Sequence, residues 1–191
     1  MSRRALDTIL TAVGGMLVLV LLVAGGLAMW GYSFANGNVH DQLVAEKVFF
    51  PAAGSAALDP KEFPDLQKYA GQQLTSGEQA KAYADGFIGR HLKTIAAGKT
   101  YAEVSTAAQA NPTDTALAAK AQTLFRGETL RGLLLNAYAF WKIGQLALIA
   151  AISSFVLAGL MLILSLLGVR HLRRMAQTEA FITSPELVPA A

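Results

Sequence analysis

Residues 143–169 read IGQLALIAAISSFVLAGLMLILSLLGV, and residues 9–30 read ILTAVGGMLVLVLLVAGGLAMW. Neither stretch contains Asp, Glu, Lys, Arg or His, and their reading decides the fold. A helix rises 1.5 Å per residue, so about 20 apolar residues cross a hydrocarbon layer of about 30 Å. Both stretches reach that length, the second with some tilt. A signal peptide is the competing reading of the first, because Arg3 and Arg4 precede it and small residues stand at Ser33 and Ala35. A signal core is usually about 7–15 residues; this run is longer, so a retained transmembrane helix is expected.

The rest of the chain looks different. Of 191 residues, 53% are apolar and 15% charged, with a mean hydropathy of +0.40. A soluble domain carries about 25% charged residues, so the deficit argues against an ordinary soluble enzyme and against a disordered chain. All 16 Lys and Arg and all 13 Asp and Glu lie outside residues 8–39 and 143–169. The net charge of +3 is not gathered on one face, so no nucleic-acid partner is expected. With no cysteine, disulfides, thiolate metal sites and cysteine nucleophiles are excluded.

Basic residues at the span ends set the orientation. Arg3 and Arg4 precede the first span, and Arg170, Arg173 and Arg174 follow the second. The positive-inside rule then puts both termini in the cytoplasm. The intervening segment carries 11 basic and 10 acidic residues, but long loops translocate largely regardless of charge. Trp30 and Tyr32, with Phe34, stand at one predicted outer boundary, and Tyr138 and Trp141, with Phe140, at the other. Amphipathic rings favour the headgroup layer. The expected architecture is an all-α integral membrane protein, with two transmembrane helices flanking a helical extracytoplasmic domain. Its parts are a cytoplasmic N-terminus (1–8), a first span (9–34), the extracytoplasmic domain (35–140), a second span (141–169) and a basic cytoplasmic tail (170–191).

Within the domain, the spacing predicts a helix over 75–97. Ala80, Tyr83, Ala84, Phe87, Ile88, His91, Leu92 and Ile95 share one face. Thr75 with Glu78 fits a capping box at its start, and Gly98 fits its end. Thr100 with Glu103 repeats the box before a second helix, which should stop near Asn111 because Pro112 disfavours a helical residue before it. Pro112 then suits the first turn of a third helix, whose stripe is Leu117, Ala121, Leu124 and Phe125. That helix should lead into the second span directly, or with a bend at Arg126-Gly127. Prolines at 51, 60 and 64 mark an irregular connection, with Phe49, Phe50 and Phe63 as apolar anchors. Residues 182–191 should form a frayed tail.

Catalytic signatures are missing. His40, His91 and His171 stand far apart, and none has another metal ligand at ligand spacing. Neither a nucleophile elbow nor a zinc-protease, phosphate-loop or dinucleotide motif occurs. No catalytic, cofactor-binding or metal residue is assigned, and neither enzyme activity nor a cofactor is expected. The spans also lack the buried charges of proton relays and ion pathways. They do contain rows of small residues: Ala24 with Ala28, Ala147 with Ala151, and Ala150 with Ser154 and Ala158. Such rows let helix backbones approach closely, either between the two spans or between subunits.

The segments Gly127-Glu-Thr-Leu-Arg-Gly-Leu-Leu-Leu-Asn-Ala-Tyr-Ala-Phe-Trp141, Thr100-Tyr-Ala-Glu-Val-Ser105 and Ala82-Tyr-Ala-Asp-Gly-Phe-Ile88 resemble a family of two-span actinobacterial membrane proteins of unknown function. The resemblance covers most of the chain and implies a bacterial plasma membrane. Members of the family are often labelled aromatic ring-opening dioxygenases. Such enzymes hold a metal by His and carboxylate ligands, and no such set stands in this sequence. The expected function is association in the membrane, as a homo-oligomer or as an accessory or scaffold subunit of an envelope or respiratory complex. The expected partners are the lipid bilayer and other membrane subunits or copies of the chain itself. The alternatives are a homo-oligomeric two-span channel and a helical extracytoplasmic sensor without its own output domain.

Overall fold

The computed structural model describes the backbone of residues 3–183 and the side chains of residues 4–177. The expected fraying of 182–191 falls mostly outside these residues. The chain is 82% helical, with no strand among the described residues. Helix α1 spans Arg3–Ala45, α2 Gly77–Lys81, α3 Gly89–Ile95, α4 Tyr101–Ala110 and α5 Thr115–Thr183. A π-helical segment, Ala82–Ile88, joins α2 to α3. At 69 residues, α5 is about 100 Å long. The chain divides into two compact units, one drawn from Met1–Trp30 and Ala147–Ala191, the other from Gly31–Leu146.

The first unit consists of two apolar helical stretches. Both belong to helices long and apolar enough to cross a membrane. Along α1, between residues 11 and 28, the covered positions apart from Gly15 are Thr11, Gly14, Val18, Leu21, Gly25 and Ala28; along α5, between residues 151 and 168, they are Ala151, Ser154, Ala158, Met161, Ser165 and Gly168. Both series step alternately by three and four residues, the pattern of a left-handed helix pair. The pairing is antiparallel, since Thr11 meets Gly168, Gly14 meets Ser165 and Gly25 meets Phe155.

The second unit has a conventional core of Val39, Leu43, Phe50, Leu58, Phe63, Leu66, Leu74 and residues of α2 to α5. The first helix of the domain starts one residue later than its sequence suggests. Ser76, not Thr75, is the N-cap: its Oγ accepts from the Gln79 amide, while Gln79 Oε1 accepts from the Thr75 amide at 2.8 Å. The Gln79 carboxamide thus satisfies the amide one residue before the cap, beside the one a capping-box Glu would reach. Glu78 instead accepts a hydrogen bond from the Tyr69 hydroxyl at 2.9 Å.

Between residues 80 and 96, Ala80, Ala84, Ile88, Leu92 and Ala96 are buried at a strict spacing of four. In an ideal α-helix that spacing drifts by about 40° per step. The π segment, where the Gly89 amide donates to Ala84 O five residues back, underwinds the helix and keeps the row facing the core. The expected stripe is therefore corrected at its end: Ile95 is 39% exposed, and Ala96, at 3%, takes its place. A Schellman cap closes the helix, with Gly98 donating to Lys93 O at 2.9 Å and Ala97 to Thr94 O at 3.1 Å.

Helix α4 carries the expected capping box between Thr100 and Glu103 and ends at Asn111 before Pro112. The start of α5 differs from expectation. Pro112 lies in a turn, closed by the Asp114 amide on Asn111 O at 3.0 Å. Asp114 caps the helix by accepting from the Leu117 amide at 2.9 Å. Asp ranks above the Pro and Thr that precede it as a cap, and the helix starts there. It passes Gly127 and Gly132 without a break. Along its stripe Leu124 is buried and Leu117 and Ala121 half-buried, but Phe125 is exposed, its ring beside Tyr101 at 5.7 Å.

The connection over 46–75 is irregular, as its prolines indicate, yet partly extended. Phe50 donates to Gln72 O and Leu74 to Val48 O, both at 2.9 Å. Side chains alternate along extended backbone. Phe50 is therefore 2% exposed and Phe49 51%, which removes Phe49 from the expected anchors; Phe50 and Phe63 remain.

Candidate functional site

The first unit is built around a packed seam between its two helices. Glycine makes the close approach possible at three places. A Cβ on Gly14 would lie 2.6 Å from Ser165 Oγ, one on Gly25 2.8 Å from the Phe155 ring, and one on Gly168 2.5 Å from Thr11 Oγ1. Of the small residues named from the sequence, Ala151 and Ala158 are buried, and Ala28, Ala147 and Ser154 are half-buried. Ala24 and Ala150 are exposed, each one position from a covered one (Gly25 and Ala151). Which glycine of an adjacent couple faces the seam follows the three-four phase, which tells Gly25 from Gly26.

Between Gly14 and Gly168 the seam opens into a cavity of about 280 Å³, lined by Asp7, Thr11, Ser165 and His171 among others. Ser165 Oγ is buried there without a hydrogen-bond partner. Arg4, Arg170, Arg173 and Arg174 are exposed; the side chain of Arg3 lies outside the described ones.

In the second unit the boundary aromatics divide into two kinds. Tyr32 is half-buried, its hydroxyl accepting from Asn36 Nδ2 at 3.1 Å. Tyr138 and Trp141 are held by the helical domain: their rings stack at 6.1 Å, Lys81 Nζ lies 5.2 Å from the Tyr138 ring, and Gly77 packs against Trp141. In the first unit, Trp30 is 67% exposed. No match to the chain was found among known protein families, curated proteins or solved structures. The chemistry of the site therefore rests on the residues themselves.

Several charged groups of the domain are engaged with one another. Asp85 accepts from Lys81 at 2.7 Å and from Arg131 at 3.0 Å. Hydrogen bonding to Lys81, and then to Arg131, holds the Asp85 carboxyl below its ordinary range. Arg131 also reaches Glu128 at 3.2 Å. Arg90 forks onto Asp65 at 2.9 and 2.8 Å and lowers its carboxyl likewise. Burial raises the Tyr83 phenol.

His91 Nδ1 is 2.9 Å from Phe87 O, and its ring stacks on Phe63 at 5.3 Å, a structural setting. His40 Nδ1 lies 3.1 Å from Thr75 O. Among the described residues, no group of three or more His, Cys, Asp or Glu stands together as a metal site would require.

The second unit also carries an apolar groove of about 620 Å³. Its walls are the end of α1 with the residues just after it, from Asn38 to Val48, and the stretch of α5 from Leu130 to Phe140.

Proposed function

We propose that the chain is an integral protein of a bacterial plasma membrane and works by association, as a homo-oligomer or as an accessory or scaffold subunit of a larger complex. The observation that carries this reading is the exposure of the two apolar helices. Only 17% and 11% of the residues in their most apolar windows are buried within the chain. Met16, Leu19, Val23, Leu27, Leu157 and Leu164 are all exposed. A contiguous apolar surface of this kind calls for lipid or further helices to cover it.

In this reading both termini are cytoplasmic and residues from about 35 to 140 are extracytoplasmic, as the arginines at the span ends favour. Trp30, Tyr32, Tyr138 and Trp141 serve as outer anchors. Gly15, Gly26 and Gly159 meet nothing within 4 Å, which leaves room for a neighbouring helix. The expected partners are lipid, other membrane subunits and copies of the chain.

Purification from native membranes in mild detergent, with mass measurement and identification of co-purifying chains, tests the proposal. A multiple of the chain mass, or a defined set of partners, is expected; a lone monomer would refute association. Orientation is checked separately with a tag after Ala110, which an external reagent should label in intact cells while a C-terminal tag stays protected.

A further inference from the structure

We infer that the groove between the end of α1 and the middle of α5 receives one acyl chain of an outer-leaflet lipid. The inference rests on the membrane reading above. The floor of the groove is hydrocarbon, with Val39, Leu43 and Leu134, and its open side carries Leu133, 64% exposed. Its volume of about 620 Å³ lies within the range of about 300–1,000 Å³ typical of small-ligand sites.

The shape and the course of the groove favour a chain. From Leu130 to Phe140, α5 rises about 15 Å, so the site is a channel rather than a bowl. Its foot is Phe140, in edge contact with Phe34 at 6.2 Å, at the level assigned to headgroups. Below Phe140 the same face of the helix is apolar again at the exposed Ile143 and Leu146, and the exposed Lys142 stands about 100° round the helix from Ile143. The hydrocarbon surface is thus continuous from the proposed bilayer boundary up into the groove.

Charge agrees with this occupant. The polar lining is Asn38, Gln42, Asn136 and Glu46, with no cation, so the groove suits a chain and leaves a phosphate at the membrane surface. A second copy fits less well. A two-fold contact brings the same patch against itself, and a concave groove facing its own copy leaves both floors unfilled.

The test uses the full chain in phosphatidylglycerol–phosphatidylethanolamine vesicles doped with a phosphatidylcholine that carries a diazirine near the end of one acyl chain. After illumination, adducts are mapped by mass spectrometry. The expected result is adducts both on the spans and on peptides covering 38–48 and 130–137. Filling the groove by Ala137→Trp should lower the groove adducts about tenfold, equivalent to about 1.4 kcal/mol, and leave the span adducts unchanged. Leu133→Gln, at an exposed position, should lower them too and guards against misfolding of the Trp variant. Adducts confined to the spans would overturn the inference and leave the membrane reading standing. Adducts on neither would remove both. A photo-crosslinker at position 133 that joins two copies would assign the groove to a second copy and overturn the lipid.

Discussion

Arg131 on α5 donates to Asp85 in the π segment at 3.0 Å, across 46 residues of sequence. The other Asp85 oxygen accepts from Lys81 at 2.7 Å. The carboxylate thus ties the short helices of the domain to the long one. Both side chains are partly exposed, so a double-mutant cycle should give a coupling of only about 0.2–1 kcal/mol. The pH dependence has a definite sign. The Asp85 carboxyl lies below its ordinary 3.8, so its contribution is present above that value and is lost as pH falls through the lowered one. Asp65 on Arg90 behaves in the same way. Thermal melts should therefore hold level at mildly acidic pH and drop below pH 3.8, and Asp85→Asn should make that drop shallower. An unchanged acid limb in Asp85→Asn would exclude the bridge.

The neighbouring residues explain what was legible in sequence. Thr100 with Glu103, and Asn111 before Pro112, are local signals, and the structure follows them. Ser76 over Thr75 is a choice between adjacent capping residues, and Asp114 starts its helix two residues after Pro112; tertiary packing and turn geometry decide both. The π segment was hidden because the run from Ala80 to Leu92 fits an ordinary helical stripe until the phase error accumulates at Ile95. Asp85 and Arg131 carry no shared signal at 46 residues' separation. In the spans, composition marks glycine and alanine as packing residues, but which of two adjacent ones faces the seam depends on the phase of the partner helix.

Gly77 stands against the Trp141 side chain, with no room for a Cβ. The obstruction begins at Trp141 Cβ, which cannot swing aside without moving α5. Gly127 meets Leu92, but through its terminal methyl groups. Gly77→Ala should therefore cost more than Gly127→Ala, about 1–3 kcal/mol as for other overpacked sites. Chemical denaturation followed by far-ultraviolet dichroism compares the two. Equal losses would mean that α2 yields as easily as a leucine side chain.

Phe49 and Phe50 test the extended connection directly. Phe50 is buried, stacked on Tyr69 at 5.1 Å and edge-on to Tyr83 at 5.1 Å. Phe50→Ala should cost about 3–5 kcal/mol, whereas Phe49→Ala should stay within about 0.5 kcal/mol as a surface change. The reverse order in a denaturant series would shift the register of residues 48–50 by one and put the other ring in the core.

The seam gives the sharpest contrast in the apolar unit, because adjacent glycines differ in what surrounds them. Gly14 and Gly25 face Ser165 and Phe155 across the helix pair, while Gly15 and Gly26 meet nothing within 4 Å. A side chain at position 14 or 25 must push the helices apart, forfeiting packing that is the main attraction between helices in lipid. Gly14→Val and Gly25→Val should each destabilise the detergent-solubilised protein by about 1–3 kcal/mol, read as a fall in thermal midpoint. Gly15→Val and Gly26→Val share the same change in helix propensity and should leave the pair intact, so the difference within each couple isolates the contact. If instead Gly15→Val or Gly26→Val disrupted assembly mass while sparing the melt, those positions would mark the contact with a neighbouring subunit, and the two glycine faces would have separate tasks.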